Sequence, residues 1–141
     1  MQSLQAAGTR PSIVLAESEA DRLTALAQQV VSADVSANGA ALLLEEIERA
    51  SVVPDHELPP HVVRMHAVVE FEDEGRDQRR TVVLVYPREA DIAAGKVSIT
   101  SPVGAGLIGL SVGQEILWPD RDGRERPLRI LKVRAPERLA F

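Results

Sequence analysis

The sequence contains no cysteine among its 141 residues and only four aromatic side chains, Phe71, Tyr86, Trp118 and Phe141. The absence of cysteine excludes a disulfide framework, a thiolate zinc site and a cysteine nucleophile. Four scattered rings cannot form the platform on which single-stranded nucleic acid stacks. No run approaches 18 apolar residues, and the first eleven residues lack the order of a signal peptide, so we expect a soluble, cytoplasmic protein.

The charge balance is acidic. Twenty-one acidic residues against sixteen basic ones give a net charge of −5. Proteins that bind duplex nucleic acid usually carry a basic surface, so we expect no direct sequence-specific nucleic-acid binding. A content of 45% hydrophobic and 26% charged residues is typical of a globular protein, and the length allows one domain or a small domain with an appendage.

Two stretches near the N-terminus have apolar residues three and four positions apart, which predicts two amphipathic helices, over 17–31 and 40–50. The small polar residues 32–39 predict a turn between them, so the helices form an antiparallel hairpin. Ser18 and Asp21 resemble a capping box at the first helix. About 14 residues per helix give an arm of roughly 20 Å. The two apolar stripes comprise Ala20, Leu23, Leu26, Ala27, Val30 and Val31, then Ala40, Leu43, Leu44, Ile47 and Ala50.

Beyond Pro54, Pro59 and Pro60 the sequence changes to β-strand patterns. The predicted strands are 62–63 with 68–71, 79–86, 97–99, 114–118 and 128–133. Ser101 as N-cap and Pro102 at the first helical position predict one short helix. An antiparallel sheet with a segregated helix indicates the α+β class. We therefore predict a helical hairpin or short coiled coil in residues 1–52, a Pro-rich linker in 53–61 and a sheet domain in 62–141.

One glycine motif suggests nucleotide binding. Gly104, Gly106 and Gly109 fit the G-x-G-x-x-G pattern, but a dinucleotide fold needs an acidic residue about 20 positions later, where this chain has Arg129. No Walker-type lysine pair follows either. We therefore interpret the glycines as small residues that let the short helix lie close to the sheet, and we expect no cofactor.

The polar residues give no convincing catalytic or metal site. His56, His61 and His66 are five residues apart, so along an extended chain they alternate between faces. A Ser-His-Asp triad stays open, but no G-x-S-x-G elbow is present. Asp34 lies near the tip of the predicted hairpin, where an acid usually stabilises a turn and could also reach into a partner. We expect no catalytic residue and no metal ligand.

Several motifs resemble a known family. Residues 101–109 (SPVGAGLIG) and 112–116 (VGQEI) resemble the C-terminal signature of the Gre transcript-cleavage factors, and residues 90–91 and 95–99 fit the same pattern. Other segments resemble one bacterial branch of that family, the regulator of nucleoside diphosphate kinase. Those segments are 10–14 (RPSIV), 21–23 (DRL), 57–63 (ELPPHVV), 84–87 (LVYP) and Trp118.

The resemblance implies a C-terminal domain of FKBP-like fold that binds RNA polymerase beside its secondary channel. It also implies a docking surface formed by Thr100, Ser101, Pro102 and Gly104, and a hairpin whose tip acids help the polymerase cleave backtracked RNA. This chain differs from the Gre pattern because Asp34 stands alone at a short arm. We therefore expect a non-enzymatic competitor of Gre factors that does not stimulate cleavage.

Two other functions remain open at this point. A peptidyl-prolyl isomerase would share the fold class, although its pocket is lined by aromatic rings that are scarce here. A regulator that contacts nucleoside diphosphate kinase directly is the other alternative. Leu42 lies off the apolar stripe beside Leu43 and Leu44, which also leaves a homodimer possible.

Overall fold

The computed structural model describes residues 10–34, 38–73, 78–119 and 122–135. Its helices are α1 (Glu17–Ala33), α2 (Asn38–Arg49) and α3 (Pro102–Leu107). Its strands are β1 (Val14–Ala16), β2 (Ser51–Val53), β3 (Val68–Asp73), β4 (Gln78–Val85), β5 (Lys96–Ser98), β6 (Glu115–Pro119) and β7 (Glu125–Arg134). Short 3-10 turns span Asp55–Glu57, Pro87–Glu89 and Ile92–Ala94. The mixed helix and strand content confirms the α+β class.

The two predicted helices are both present. α1 continues two residues beyond the predicted end, and α2 begins two residues before the predicted start. The residues of both apolar stripes are buried or half-buried in the core, as the periodicity predicted. The connection between the helices is short, which is typical of antiparallel neighbours. Residues 35–37 of the predicted turn lie outside the described residues.

The predicted capping box of α1 is wrong. The N-cap residue is Ala16, which has no side-chain hydrogen bond to the helix. Instead, Asp55 accepts hydrogen bonds from the backbone N–H of Ser18 at 3.0 Å and from the Ser18 hydroxyl. A carboxylate from a distant segment thus accepts a hydrogen bond from a free backbone N–H at the positive, N-terminal end of α1. These hydrogen bonds hold the pKa of Asp55 below its usual value.

The five-stranded sheet has the order β5-β4-β3-β7-β6. Its β4–β5 pair is parallel, so the prediction of a wholly antiparallel sheet is wrong. The connection after β4 turns back and then reverses direction again at a turn that includes a bridge between Asp91 and Lys96. β5 therefore runs parallel to β4. Residues 62–63 do not form a strand, since Val62 makes only an isolated bridge to Ser111. β1 and β2 form a separate parallel pair.

The hairpin and the sheet share one hydrophobic core. Leu23 of α1, Leu43 of α2, Phe71 of β3, Leu107 of α3 and Ile130 of β7 are each at most 1% exposed and belong to the same cluster. The predicted linker residues include the last residue of β2 and the turn that carries Asp55. The domain boundaries themselves, and the FKBP-like type, stay predictions.

The hairpin does not project as a free arm. α2 packs along α3, and its residues Gly39, Ala40 and Leu43 are buried. Small side chains at the first two of these positions let the helix approach the sheet domain closely. The expectation of a hairpin that protrudes as an arm roughly 20 Å long is therefore wrong. Of the helices in the described part of the chain, none is long and apolar enough to cross a membrane.

Candidate docking surface

The candidate surface centres on residues 98–102, which we call the docking turn. The Ser98 carbonyl accepts hydrogen bonds from the Ser101 backbone N–H at 3.0 Å and from the Ser101 hydroxyl at 2.7 Å. The Thr100 N–H donates to the Ser98 hydroxyl oxygen at 3.1 Å. Thr100, Ser101 and Pro102 are half-buried, so each keeps part of its surface accessible. The docking turn is thus a preformed structure.

The docking turn leads directly into α3. The Ser101 hydroxyl oxygen accepts from the Gly104 N–H at 3.1 Å, and Pro102 opens the helix, which confirms the predicted helix start. The Trp118 indole N–H donates to the Pro102 carbonyl. A Cβ at Gly106 would stand 2.7 Å from the Trp118 ring. This close fit confirms that the small residues let α3 lie against the sheet.

Gly104 supports the docking turn from inside the protein. It is buried, and a Cβ there would overlap the Ser98 carbonyl oxygen and stand 2.9 Å from its carbonyl carbon. The burial of Gly104 indicates a supporting position, and its assignment to the docking surface stays a prediction. The docking role of Thr100, Ser101 and Pro102 stays a prediction.

Gly39 of α2 contacts the docking turn from another side. A Cβ at this glycine would overlap the Thr100 carbonyl oxygen and stand 2.8 Å from the carbonyl carbons of Thr100 and Ser101. The backbone of the hairpin therefore touches the backbone of the docking turn. Because both partners are main chain, neither can move aside by changing a rotamer.

A buried ion-pair network fixes the other end of α2. Glu46 has a side chain only 1% exposed, and its carboxylate lies 2.7 Å from Arg10 Nη1 and 2.7 Å from Arg49 Nη2. The Arg49 guanidinium also donates to the Pro11 carbonyl at 2.6 Å. The Arg10 guanidinium carbon lies 4.7 Å from the centre of the Trp118 ring, a cation–π distance. The network therefore connects the hairpin to the chain before β1 and to β6.

Asp34, the predicted tip acid, is the C-cap residue of α1. Its backbone N–H donates to the Val30 carbonyl at 3.0 Å, and the residue is exposed. Asp34 and Gly39 are five positions apart in the chain, so their Cα atoms are at most about 18 Å apart. Since Gly39 packs on Thr100, Asp34 cannot extend far beyond the docking turn.

The three histidines do not come together. His56 and His61 are exposed, whereas His66 is half-buried and lies 2.9 Å from a Glu89 carboxylate oxygen. This contact and the Tyr86 backbone N–H hold the pKa of Glu89 below its usual value. Among the residues that the structure describes, no group of histidine and acidic side chains could hold a metal ion.

The open face of the sheet carries alternating charges. Arg129 on β7 lies 3.8 Å from both Glu72 on β3 and Glu115 on β6, and Arg79 on β4 lies 3.6 Å from Glu70 on β3. These cross-strand pairs largely neutralise one another. These ion pairs therefore reduce the positive charge that Arg79 and Arg129 would present to a phosphate backbone.

Comparison with known proteins identifies the family. The family model for the GreA/GreB transcription elongation factor C-terminus matches residues 58–135, and the model for the Rnk N-terminus matches residues 11–53. The chain belongs to the GreA/GreB family. It is 32% identical to the regulator of nucleoside diphosphate kinase of Escherichia coli K12 over 125 residues, covering 89% of this chain and 90% of that protein. This likeness confirms the predicted branch of the family.

Two further relatives agree. The chain is 39% identical over 94 residues to GreA of Acidiphilium cryptum, covering 67% of this chain and 59% of the relative. A solved GreA/GreB elongation factor from Nitrosomonas europaea superposes with a TM-score of 0.67 at 36% identity, covering 89% of this chain and all of that one. These relatives are named as regulators or elongation factors. The protein is thus related to transcription regulators.

Sequence reasoning missed three residues that fix the helices of the hairpin, namely Gly39, Glu46 and Asp55. The predicted apolar stripe does not include Glu46, although this residue follows Leu43 by three positions and Gly39 by seven, which puts all three on one side of α2. That spacing was a usable signal. No sequence signal indicated the role of Asp55, because its partner Ser18 is 37 positions away.

Proposed function

We propose that the protein is a non-enzymatic transcription regulator that binds RNA polymerase near the secondary channel through the docking turn. It competes there with Gre-type elongation factors and does not stimulate transcript cleavage. The observation that carries the proposal is the preformed docking turn, in a chain of the GreA/GreB family, with partly accessible Thr100, Ser101 and Pro102. A turn already fixed by internal hydrogen bonds loses little conformational entropy when a partner binds.

The placement of Asp34 argues against a role in cleavage. An acid that assists a metal ion in a partner's active centre must first reach that centre. Asp34 stays within about 18 Å of Gly39, which itself lies on the docking turn. A protein held at the channel entrance by the docking turn therefore keeps its tip near the entrance. It occupies the site without delivering a carboxylate to the chemistry.

The charge distribution favours a basic protein surface as partner. Residues 1–57 contain nine acidic and three basic side chains, whereas residues 58–141 contain twelve acidic and thirteen basic ones. The excess negative charge is thus concentrated in the hairpin half. Complementary charge mainly accelerates association and selects the partner. We expect the association rate with polymerase to fall as salt concentration rises.

The binding experiment compares matched double variants. Thr100→Ala/Pro102→Ala removes two of the partly accessible side chains of the docking turn, and Thr81→Ala/Pro60→Ala removes the same residue types from exposed positions elsewhere. We expect the first variant to lose binding to immobilised RNA polymerase and the second to bind like the wild type. Circular dichroism verifies that both are folded. Full binding by a folded docking-turn variant would reject the assigned surface.

The structure does not favour isomerase activity. The rings of Phe71 and Trp118 are at most 2% exposed and form part of the packed core, so they cannot line an open peptide pocket. Direct contact with nucleoside diphosphate kinase is tested by a second experiment, in which the wild-type protein is immobilised and both candidate partners are applied. Retention of that kinase, but not of polymerase, by the immobilised wild-type protein would replace the proposal with this alternative.

A further inference from the structure

Two glycines from different helices hold the docking turn between them. Gly104 of α3 lies against the Ser98 carbonyl, and Gly39 of α2 lies against the carbonyls of Thr100 and Ser101. In both places a single added methyl group would overlap a main-chain oxygen. Gly104 belongs to the same segment as the turn, whereas Gly39 comes from the N-terminal hairpin, about 60 positions earlier in the chain.

We infer that Gly39 is a positioning residue, through which the hairpin sets the position of the docking turn for RNA polymerase. The inference rests on the proposed function and goes beyond it. It assigns the hairpin a role in docking itself, in addition to occupying the channel entrance.

The contact cannot adjust to a larger side chain without moving the docking turn or the helix. α2 is anchored by the buried Glu46 about two turns further along its core-facing side, so it cannot swing away freely. The turn is bonded internally through the Ser98 carbonyl, so Thr100 and Pro102 move with it as a unit. A methyl group at position 39 therefore requires a displacement on the order of 1 Å, enough to disturb a preformed binding geometry.

The test uses Gly39→Ala and Gly39→Ser, with Ala41→Ser as a control on the exposed side of the same helical turn. We expect both Gly39 variants to bind immobilised RNA polymerase at least about tenfold more weakly than the wild type, and Ala41→Ser to bind normally. Gly39→Ala and Gly39→Ser should lose the same amount of affinity for polymerase, because the Cβ atom that both variants add already overlaps the Thr100 carbonyl oxygen. The backbone amide chemical shifts of residues 98–101 should change in both Gly39 variants.

The outcomes separate the two claims. Wild-type protein that does not bind polymerase would refute the proposed function, and the docking role of Gly39 with it. Wild-type binding together with full binding by a folded Gly39→Ala variant would refute the inference alone, as would unchanged amide shifts in the turn.

Hydrogen exchange on the wild type keeps the test valid if the variants fail to fold. We expect the amides of residues 40–44 to exchange more slowly in the polymerase complex, because α2 stays on the docking turn. Faster exchange there would show that α2 leaves the turn on docking, which contradicts the inference.

Discussion

Replacing Glu46 tests whether the buried ion-pair network fixes the hairpin to the sheet domain. The Glu46 carboxylate is 1% exposed and contacts both Arg10 and Arg49 at 2.7 Å. Glu46→Ala leaves two guanidinium groups without their buried partner. Breaking a buried pair in this way costs about 3–5 kcal/mol.

The arginines reduce that cost, because their side chains are 25% and 28% exposed and can turn toward water. We therefore expect Glu46→Ala to lower the free energy of unfolding by about 2–4 kcal/mol. For a chain of this size that corresponds to a fall in Tm of roughly 10 °C. Glu46→Gln keeps the side-chain shape and should give an intermediate loss.

Glu45→Ala is the matched control. Glu45 is the preceding residue, its side chain is 63% exposed, and it lies 3.7 Å from the same Arg10. An exposed pair of this kind contributes about 0–1 kcal/mol. The measurement is urea unfolding followed by circular dichroism. Equal effects of the two alanine substitutions would refute the clamping role of Glu46.

Three further changes test other parts of the structure. Gly106→Ala should cost about 1–3 kcal/mol by overpacking against Trp118, and the fluorescence of this single tryptophan should shift; an unchanged spectrum would contradict the close contact. Asp55→Asn should lower Tm at neutral pH. The difference in Tm from the wild type should shrink below pH 3.8, because the pKa of Asp55 is lowered in the folded protein and its stabilising effect is lost as the pH falls through that lowered pKa. Burial raises the pKa of Glu19 above 4.5, so the ionised carboxylate destabilises the fold. Glu19→Gln should therefore gain stability relative to the wild type as the pH rises from 4.5 through the pKa of Glu19 in the folded protein. Tm profiles of the three proteins between pH 3 and pH 8 measure both effects, and parallel profiles would contradict them.

Local patterns predicted much of the fold. The three-and-four spacing of apolar residues located both helices of the hairpin, and the Ser101–Pro102 pair located the start of α3. These features depend on neighbours within a few residues, which a single sequence displays. The resemblance of residues 101–109 to the Gre signature suggested the docking role of the turn, which stays a prediction.

Contacts between distant segments could not be predicted in this way. The hydrogen bonds by which Asp55 caps α1 join residues that are 37 positions apart. The parallel pairing of β5 with β4 depends on the path of the connection between the two strands. The spacing of Glu46 from Leu43 could have shown its place on the buried side of α2, but its ion pair with Arg10 could not be predicted, because Arg10 lies 36 positions away. The close approach of Gly39 to Thr100 depends on the packing of α2, which no local pattern shows.

Transcript cleavage in a backtracked complex tests the proposed function most directly. RNA polymerase is halted on a backtracked RNA, and cleavage is followed with this protein alone, with a Gre factor alone, and with both at increasing ratios. We predict no cleavage above background by this protein alone, and progressive inhibition of the Gre factor that the Thr100→Ala/Pro102→Ala variant fails to produce. Stimulated cleavage by this protein, or undiminished Gre activity at saturating amounts of it, would contradict the account.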